Sequence, residues 1–360
     1  MQIICSNCNT SYNIPDNKIP AKKSFATCKK CGNKIAIDPV QTDHTEQSIP
    51  PEPPPQQPEQ KPVIEKTEIL ADQQMSADYP ELKKLSAEKY DLEEILTRNK
   101  KGGYKNRKNR LKVRILNTVS DKLDKILSKD EKVLHIGKGT AHYPAEIFFG
   151  NGLLTMMYNH YAIVCTNQKI LFININSRIT KTTHYLFQMS YEEIKKVRRS
   201  SFFAGLSLYP KKGKRRHFTY VKRFLAKEIM AFIKTKIVPG KQETASEAFD
   251  ENLCPSCFVP LKKGLIRCPA CKADFKIPKT AMLRSLILPG LGDIYLGHKW
   301  LGGFEIFGAV IVWVFIISLL LDPKPETIGV AIFFLLIVNG FDGLLTYHMA
   351  KKGYMLAEVD

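Results

Sequence analysis

The chain has 360 residues, with 54 Lys and Arg against 35 Asp and Glu and a formal net charge of +19. That length leaves room for two or three domains, and the charge sits in one of them: residues 98–237 hold 31 Lys and Arg against 8 Asp and Glu, so the remainder is slightly acidic. No GxSxG, Walker loop or HExxH occurs, and no histidine stands beside a cysteine or serine in a catalytic arrangement, which argues against the commoner hydrolase, nucleotide-hydrolysing and zinc-peptidase classes and predicts a binding protein without enzymatic activity.

From the N-terminus, Cys5 and Cys8 form a CxxC pair, and after 19 residues Cys28 and Cys31 form another. Two such pairs supply the four thiolates of a tetrahedral zinc, at a separation usual for a four-cysteine site. Gly32 suits the turn in which backbone N–H groups face the sulfurs, whereas Asn9 stands where a glycine often follows the second cysteine. Disulfides and redox-active CxxC sites are the rival chemistries. Met1 to Tyr12 lack the basic, apolar and small-residue succession of an export leader, so a reducing cytoplasm is expected, and disulfides are disfavoured there. A thioredoxin-like site would put one CxxC at a helix start after a strand, but these pairs come doubled in short lysine-rich segments. Residues 1–38 therefore read as a zinc ribbon, a small β unit.

Eight prolines between Pro39 and Pro62, with almost no large apolar side chain, predict a disordered Pro- and Gln-rich linker. Residues 63–98 follow as a helical segment, with an acidic amphipathic helix around Leu82 to Leu96.

Residues 99–238 form the basic domain. Leu111, Ile115, Val119, Leu123, Ile126 and Leu127 recur at helical spacing, predicting a helix that ends near Ser128. Short runs rich in branched and aromatic residues then predict strands at Val133–Ile136, Tyr161–Thr166, Lys169–Ile175, Thr183–Tyr191, Lys195–Arg198, Phe202–Tyr209 and His217–Val221. Leu225, Ile229, Phe232 and Ile233 predict a closing amphipathic helix from about Arg223 to Lys236. The stretch Gly137 to Asn159 reads as an inserted loop, and Cys165 as a buried strand thiol. Tyr161-Ala-Ile-Val-Cys-Thr-Asn-Gln-Lys-Ile-Leu-Phe172, a strand, Thr-Asn turn and strand, and Tyr191-Glu-Glu-Ile-Lys-Lys-Val197 resemble bacterial PH-like domains over about 110 residues. The resemblance implies a β-barrel plugged by a C-terminal helix, binding lipids, peptides or proteins.

Basic residues cluster at Arg98–Arg114 and Lys195–Arg223. Within the second cluster Arg198, Arg199, Lys211, Lys212, Lys214, Arg215 and Arg216 are the candidate anion-binding set. Nucleic acid and an acidic membrane surface both suit such a patch, and Phe202, Phe203, Phe218 and Tyr220 interleave with it as possible base-stacking partners. A membrane tether favours acidic lipid head groups, where each basic residue near the surface contributes about 1 kcal/mol.

After a linker at 239–252, Cys254, Cys257, Cys268 and Cys271 make a second ribbon at 253–278 with only 10 residues between the pairs, so two zinc ions per chain are expected. Phe258 and Lys272 stand at the positions where glycine often follows.

Residues 280–352 pose a different solvent problem. Two apolar stretches, about 302–321 and 327–347, each reach the roughly 20 residues that cross a bilayer, and Pro323 and Pro325 break the helix between them. Arg284 and Lys299 before the first and Lys351 and Lys352 after the second, against Lys324 in the turn, predict both chain ends on the cytoplasmic side of a bacterial inner membrane. Leu283 to Trp300 reads as an interfacial or re-entrant helix. Its run Pro289-Gly290-Leu291-Gly292-Asp293-Ile294-Tyr295-Leu296-Gly297, followed by Gly302-Gly303, resembles the signature of the TM2 domain, a two-span membrane module with no established reaction; Asp342 resembles the intramembrane aspartate of that family. An ionised Asp at a helix centre costs roughly 2.5 to 3.5 kcal/mol, so Asp293, Asn339 and Asp342 are expected to face protein, water or the interface.

The resulting expectation is a multidomain protein: zinc ribbon, disordered linker, PH-like β-barrel plus helix, second ribbon and transmembrane hairpin. Its expected work is that of a membrane adaptor or sensor with an unidentified protein partner. A tethered nucleic-acid binder and a thiol or zinc sensor are the alternatives.

Overall fold

The computed structural model describes residues 2–4, 11–13, 24–28, 31, 34–37, 75, 77–99, 101–104, 106–143, 156–200, 205–237, 250–321 and 324–357. Residues 1–61 form one compact unit and residues 62–360 a second. The proline-rich linker lies outside the described residues, as do 144–155 and 238–249.

In the first unit β1 (Gln2–Ile4) pairs antiparallel with β2 (Ser11–Asn13), and β3 (Ser24–Thr27) with β4 (Lys34–Ile37). Each CxxC falls between the two strands of one hairpin in the sequence.

The second unit is built on a nine-stranded antiparallel sheet. Its strands are β5 (Val133–Ala141), β6 (His160–Thr166), β7 (Lys169–Ile175), β8 (Thr182–Ser190), β9 (Ile194–Ser200), β10 (Gly205–Pro210), β11 (Arg216–Thr219), β12 (Glu251–Leu253) and β13 (Pro260–Leu261). They lie in the order β13-β12-β8-β7-β6-β5-β11-β10-β9. The helices are α1 (Leu92–Ile95), α2 (Arg107–Ile126), α3 (Arg223–Lys236), α4 (Pro278–Ile287), α5 (Leu291–Tyr295), α6 (Lys299–Leu320) and α7 (Pro325–Ala350).

Both faces of the sheet are covered, which explains why β6 and β7 read as nearly unbroken apolar runs rather than alternating ones. Tyr161, Ile163, Cys165, Phe172 and Phe187 join Leu225, Ile229 and Ile233 of α3 in one core. Ala162, Val164, Leu171 and Ile173 point the other way and bury Ile115, Leu116, Val119 and Leu123 of α2. This second face is therefore the seat of the leading helix. Lys112, 1 % exposed, ties the layers together: its ammonium donates to the Ile95 carbonyl (2.6 Å) and pairs with Glu228 of α3 at 2.6 Å.

Two local expectations are corrected. No single helix spans Leu82 to Leu96; a 3-10 turn at Pro80–Lys84 and the one-turn α1 replace it. The backbone between them bonds to the sheet instead, with Val133 N–H donating to Lys89 O (2.8 Å) and Asp91 N–H to Val133 O (3.0 Å). Tertiary pairing wins over helical periodicity here, while Leu82, Tyr90, Ile95 and Leu96 still reach the core of α2. The inserted loop also begins later than expected, because β5 runs on through Gly137 and Gly139 to Ala141. Those glycines mark close approach rather than a turn. A Cβ at Gly137 would lie 2.8 Å from Ile229 Cδ1 of α3, and one at Gly139 would lie 2.9 Å from Phe218 Cβ.

The helices α6 and α7, with 22 and 26 residues, are the described helices long and apolar enough to cross a membrane. Their apolar side chains are turned outward: Phe307 is 66 % and Leu336 70 % exposed. A core helix of a soluble protein would bury them. At the other end the hairpin enters the sheet domain, where Ala281, Leu301, Leu345, Met349 and Ala350 share the core of Tyr161 and Phe187. Tyr185 donates its hydroxyl to the Met349 carbonyl (2.8 Å), and the Tyr158 ring lies 4.4 Å from that of His298.

Candidate metal centre and the basic face

The second ribbon folds as two matching knuckles, Cys254-Pro-Ser-Cys257-Phe258-Val259 and Cys268-Pro-Ala-Cys271-Lys272-Ala273. In the first, Cys254 N–H donates to Val259 O and Phe258 N–H to Cys254 O, both at 2.9 Å; in the second, Cys268 N–H donates to Ala273 O (2.8 Å) and Lys272 N–H to Cys268 O (3.0 Å). These closures bring the four sulfur atoms within 4.8 Å of one another. Cys254 Sγ lies 3.7 Å from Cys271 Sγ, and Cys257 Sγ 3.6 Å from Cys268 Sγ. A disulfide needs about 2.05 Å, whereas zinc–sulfur bonds of about 2.3 Å in a tetrahedron set the sulfurs about 3.8 Å apart. The donor set and its spacing fit one zinc with no open position, which is the pattern of a structural site.

The backbone supplies part of the electrostatics. The N–H of Ala273 holds the exposed Cys271 thiol down at about 6, while burial pushes Cys254 up to about 12. Phe258 and Lys272, the departures from glycine noted in the sequence, occupy left-handed backbone at φ 63° and 62°. Lys272 is exposed and its side chain offers no evident compensation. Lys272→Gly is therefore expected to stabilise the ribbon by about 1 kcal/mol, read as slower zinc loss to a chelator; unchanged or faster loss would contradict the strain argument.

Of the first ribbon's ligands, Cys28 is buried and its Sγ lies 3.1 Å from the Tyr12 hydroxyl, and Cys31 is exposed. Cys5 and Cys8 lie outside the described residues. Tyr12 was not foreseen as a neighbour of the site, because nothing in the spacing of the cysteines marks it.

The basic set does not converge on one point. Arg198 and Arg199 pair with Ser207 and Leu206 on β10, whereas Lys211, Lys212, Lys214 and Arg215 occupy the turn beyond Pro210. Five residues of strand at about 3.3 Å each separate the two groups by about 16 Å. They make a basic strip along the edge strand β9, where charge also blocks further strand addition. Arg216 differs from the rest of the set: it pairs with Asp250 and lies against the rings of Tyr143 (5.8 Å) and Phe187 (5.7 Å), so it has partners within the fold. Among the stacking aromatics Phe218 is fully buried, stacked on Phe172 at 5.0 Å, while Tyr220 is 59 % exposed. Phe202 and Phe203 lie outside the described residues.

The polar residues of the hairpin do come together. Asp342 accepts from Gly290 N–H (2.9 Å), Asp293 accepts from Thr346 Oγ1 (2.9 Å) and lies 3.1 Å from His298 Nδ1, and Asn339 donates to the Leu286 carbonyl (2.9 Å). Asn339, Asp342 and Thr346 share one face of α7 by their spacing of three and four. That face meets α4 and α5, so the polar atoms hold three helices together. Sequence reasoning missed Thr346, Ser285 and His298, although the first lay four residues past Asp342 on the same face.

Comparison with known families agrees with both modules legible in these elements. Residues 1–36 match a zinc-ribbon domain and residues 127–235 match a bacterial PH domain. No curated protein matches the chain. The chain thus contains an N-terminal zinc ribbon and a bacterial PH-type domain, the latter in one unit with a second four-cysteine cluster and two apolar helices.

Proposed function

We propose that the protein is a membrane-anchored, zinc-binding adaptor or sensor whose work is binding, not catalysis. One observation carries this reading: the PH-type sheet and the base of the apolar hairpin share a single core, so a hairpin inserted in a bilayer holds the sheet domain against the head groups. The outward-facing apolar side chains of α6 and α7 supply the anchor. Both ends of the hairpin adjoin the sheet domain, which supports the same cytoplasmic side for that domain and for Lys351. A Cβ at Gly290 would meet the Gly302 carbonyl of α6 and one at Gly292 the Ala281 carbonyl of α4, and this close approach of the three segments supports the likeness to a two-span TM2 module.

The edge strip of Arg198, Arg199, Lys211, Lys212, Lys214 and Arg215 suits acidic lipid or an acidic protein partner. Burial of Phe218 removes one stacking platform from the nucleic-acid alternative. Full-length protein should remain with membranes after carbonate extraction and carry two zinc ions by elemental analysis, Cys5→Ser and Cys254→Ser each removing one. Recovery in the soluble fraction, or one zinc that Cys5→Ser leaves unchanged, would refute the respective part.

A further inference from the structure

The polar bonds between α7 and the segment before α6 fix how far that segment descends along the hairpin. Asn339 Nδ2 donates to the Leu286 carbonyl (2.9 Å), Gly290 N–H donates to Asp342 (2.9 Å), and Ser285 Oγ lies 3.1 Å from Thr346 Oγ1. Asn339 stands 12 residues before Lys351 and 13 after Glu326. At about 1.5 Å per residue, the end of α4 therefore sits about 18 Å along α7 from Lys351. The start of α4 is at another level, because Lys276 N–H donates to Met355 O (2.9 Å), past the end of α7. So α4 runs down beside α7. The chain then climbs back, Asp293 accepting from Thr346 Oγ1 (2.9 Å) and the Tyr295 hydroxyl accepting from Ile277 N–H (3.0 Å).

A helix lying on a bilayer buries its apolar side only about 5–10 Å, which falls short of this descent. The chemistry of the turn suits the greater depth. Water would satisfy a helix end at the surface, whereas in hydrocarbon an irregular backbone is tolerated only where protein satisfies it. Asn339 and Asp342, polar residues that are costly within a span, bond the Leu286 carbonyl and the Gly290 amide on the two sides of the turn. The outer side of α4 is apolar: Leu283 is 56 % and Ile287 70 % exposed, with Leu286 between them. Arg284, the charge in its lower half, lies over the Tyr295 ring (4.4 Å), and the hydroxyl of that ring reaches the start of the helix, so the guanidinium is drawn back to that level. We infer that α4 and the turn into α5 form a re-entrant element, which enters the hydrocarbon from the side of Lys351, lays Leu283, Leu286 and Ile287 against acyl chains, and returns to the side it came from. The inference rests on the reading that α6 and α7 cross a bilayer, and it adds a third embedded segment to those two.

The test reads tryptophan fluorescence of the full chain in vesicles of phosphatidylcholine brominated either near the head-group end or at the middle of the acyl chain. The chain has two tryptophans, Trp300 at the start of α6 and Trp313 within it, so Trp313→Phe and Trp300→Phe leave one reporter each. A third protein carries both changes with Ile287→Trp, and a fourth carries both with Leu283→Trp; zinc content equal to that of wild type checks that each is folded. Trp300 should respond most to the shallow bromine. Position 287 should respond more to the mid-chain bromine than to the shallow one, with blue-shifted emission and no quenching by aqueous iodide, and position 283 should fall between them. Iodide quenching at 287, or a preference for the shallow bromine equal to that of Trp300, would overturn the inference. Trp313 separates the two claims: bromine quenching there beside an aqueous position 287 strikes the re-entrant element alone, whereas iodide quenching at Trp313 strikes the spans as well.

Discussion

Cys254→Ser should remove one zinc and unfold the second ribbon without melting the sheet domain. Structural zinc contributes about 10–16 kcal/mol to small domains of this kind, and here the apolar support is slight: Leu261 and Phe275 are the main buried side chains beside the sulfurs. Serine cannot supply the fourth thiolate, and Cys254 is fully buried. Hydrogen exchange should show protection lost from Glu251 to Lys276. It should also rise in the segment after α7, because Lys276 N–H donates to Met355 O (2.9 Å) and Ala357 N–H to Asp274 O (2.8 Å). Protection of β6 and β7, whose neighbours in the sheet are intact, should persist. A variant that keeps its full zinc content, or wild type that holds iron in its place, would contradict the assignment.

Gly292→Ala, in α5 at the foot of the hairpin, should be strongly destabilising. A Cβ there would run into the Ala281 carbonyl and stand 2.5 Å from Ser285 Oγ and 2.7 Å from Thr346 Cγ2. The obstacle is partly backbone of α4, which cannot turn aside as a flexible side chain would. Overpacking of a tight core costs typically 1–3 kcal/mol, and the upper end, about 3 kcal/mol, is expected because α4 must also leave the polar face of α7. Gly303→Ala is the matched control: no atom lies within 4 Å of its Cβ, so it should be neutral or raise stability by up to about 1 kcal/mol through helix propensity. Thermal unfolding of the two variants in detergent makes the comparison. Equal loss in both would show that the crossing does not depend on close backbone contact.

The sequence was most informative where one physical demand dominates. Four thiolates in doubled CxxC pairs leave little besides a metal, and the knuckles of the second ribbon have the required spacing. The strands around Asn167-Gln168 and the closing helix α3 were legible for the same reason: their periodicity is decided locally. Tertiary pairing was not. The segment around Leu82 to Leu96 carries helical spacing, yet its middle lends hydrogen bonds to Val133, and no local rule reveals that demand. Gly137 and Gly139 look like turn residues until α3 is seen pressed on the first and Phe218 of β11 on the second. Arg216 stands in a run of exposed bases, and only the fold brings Asp250, Tyr143 and Phe187 around it. For the hairpin, Asp342 and Asn339 were visible as costly residues, while their partners at Gly290 and Leu286 were separated from them by more than a span.

The contact between Tyr185 and Met349 joins residues 164 apart in the chain, and the buried bond from Lys352 to Asn159 Oδ1 joins residues 193 apart. Closure over such distances is entropically late. During synthesis the strands of the sheet therefore emerge well before the residues that finish one end of their core, and those residues follow the second apolar helix. On the proposed reading, in which α6 and α7 cross a bilayer, the sheet domain would stay open on the side of Tyr161 and Tyr185 until the hairpin had inserted and turned back. Completion of the sheet domain would then be conditional on insertion, and a copy that failed to insert would keep an uncovered apolar surface by which it is distinguishable from a finished one.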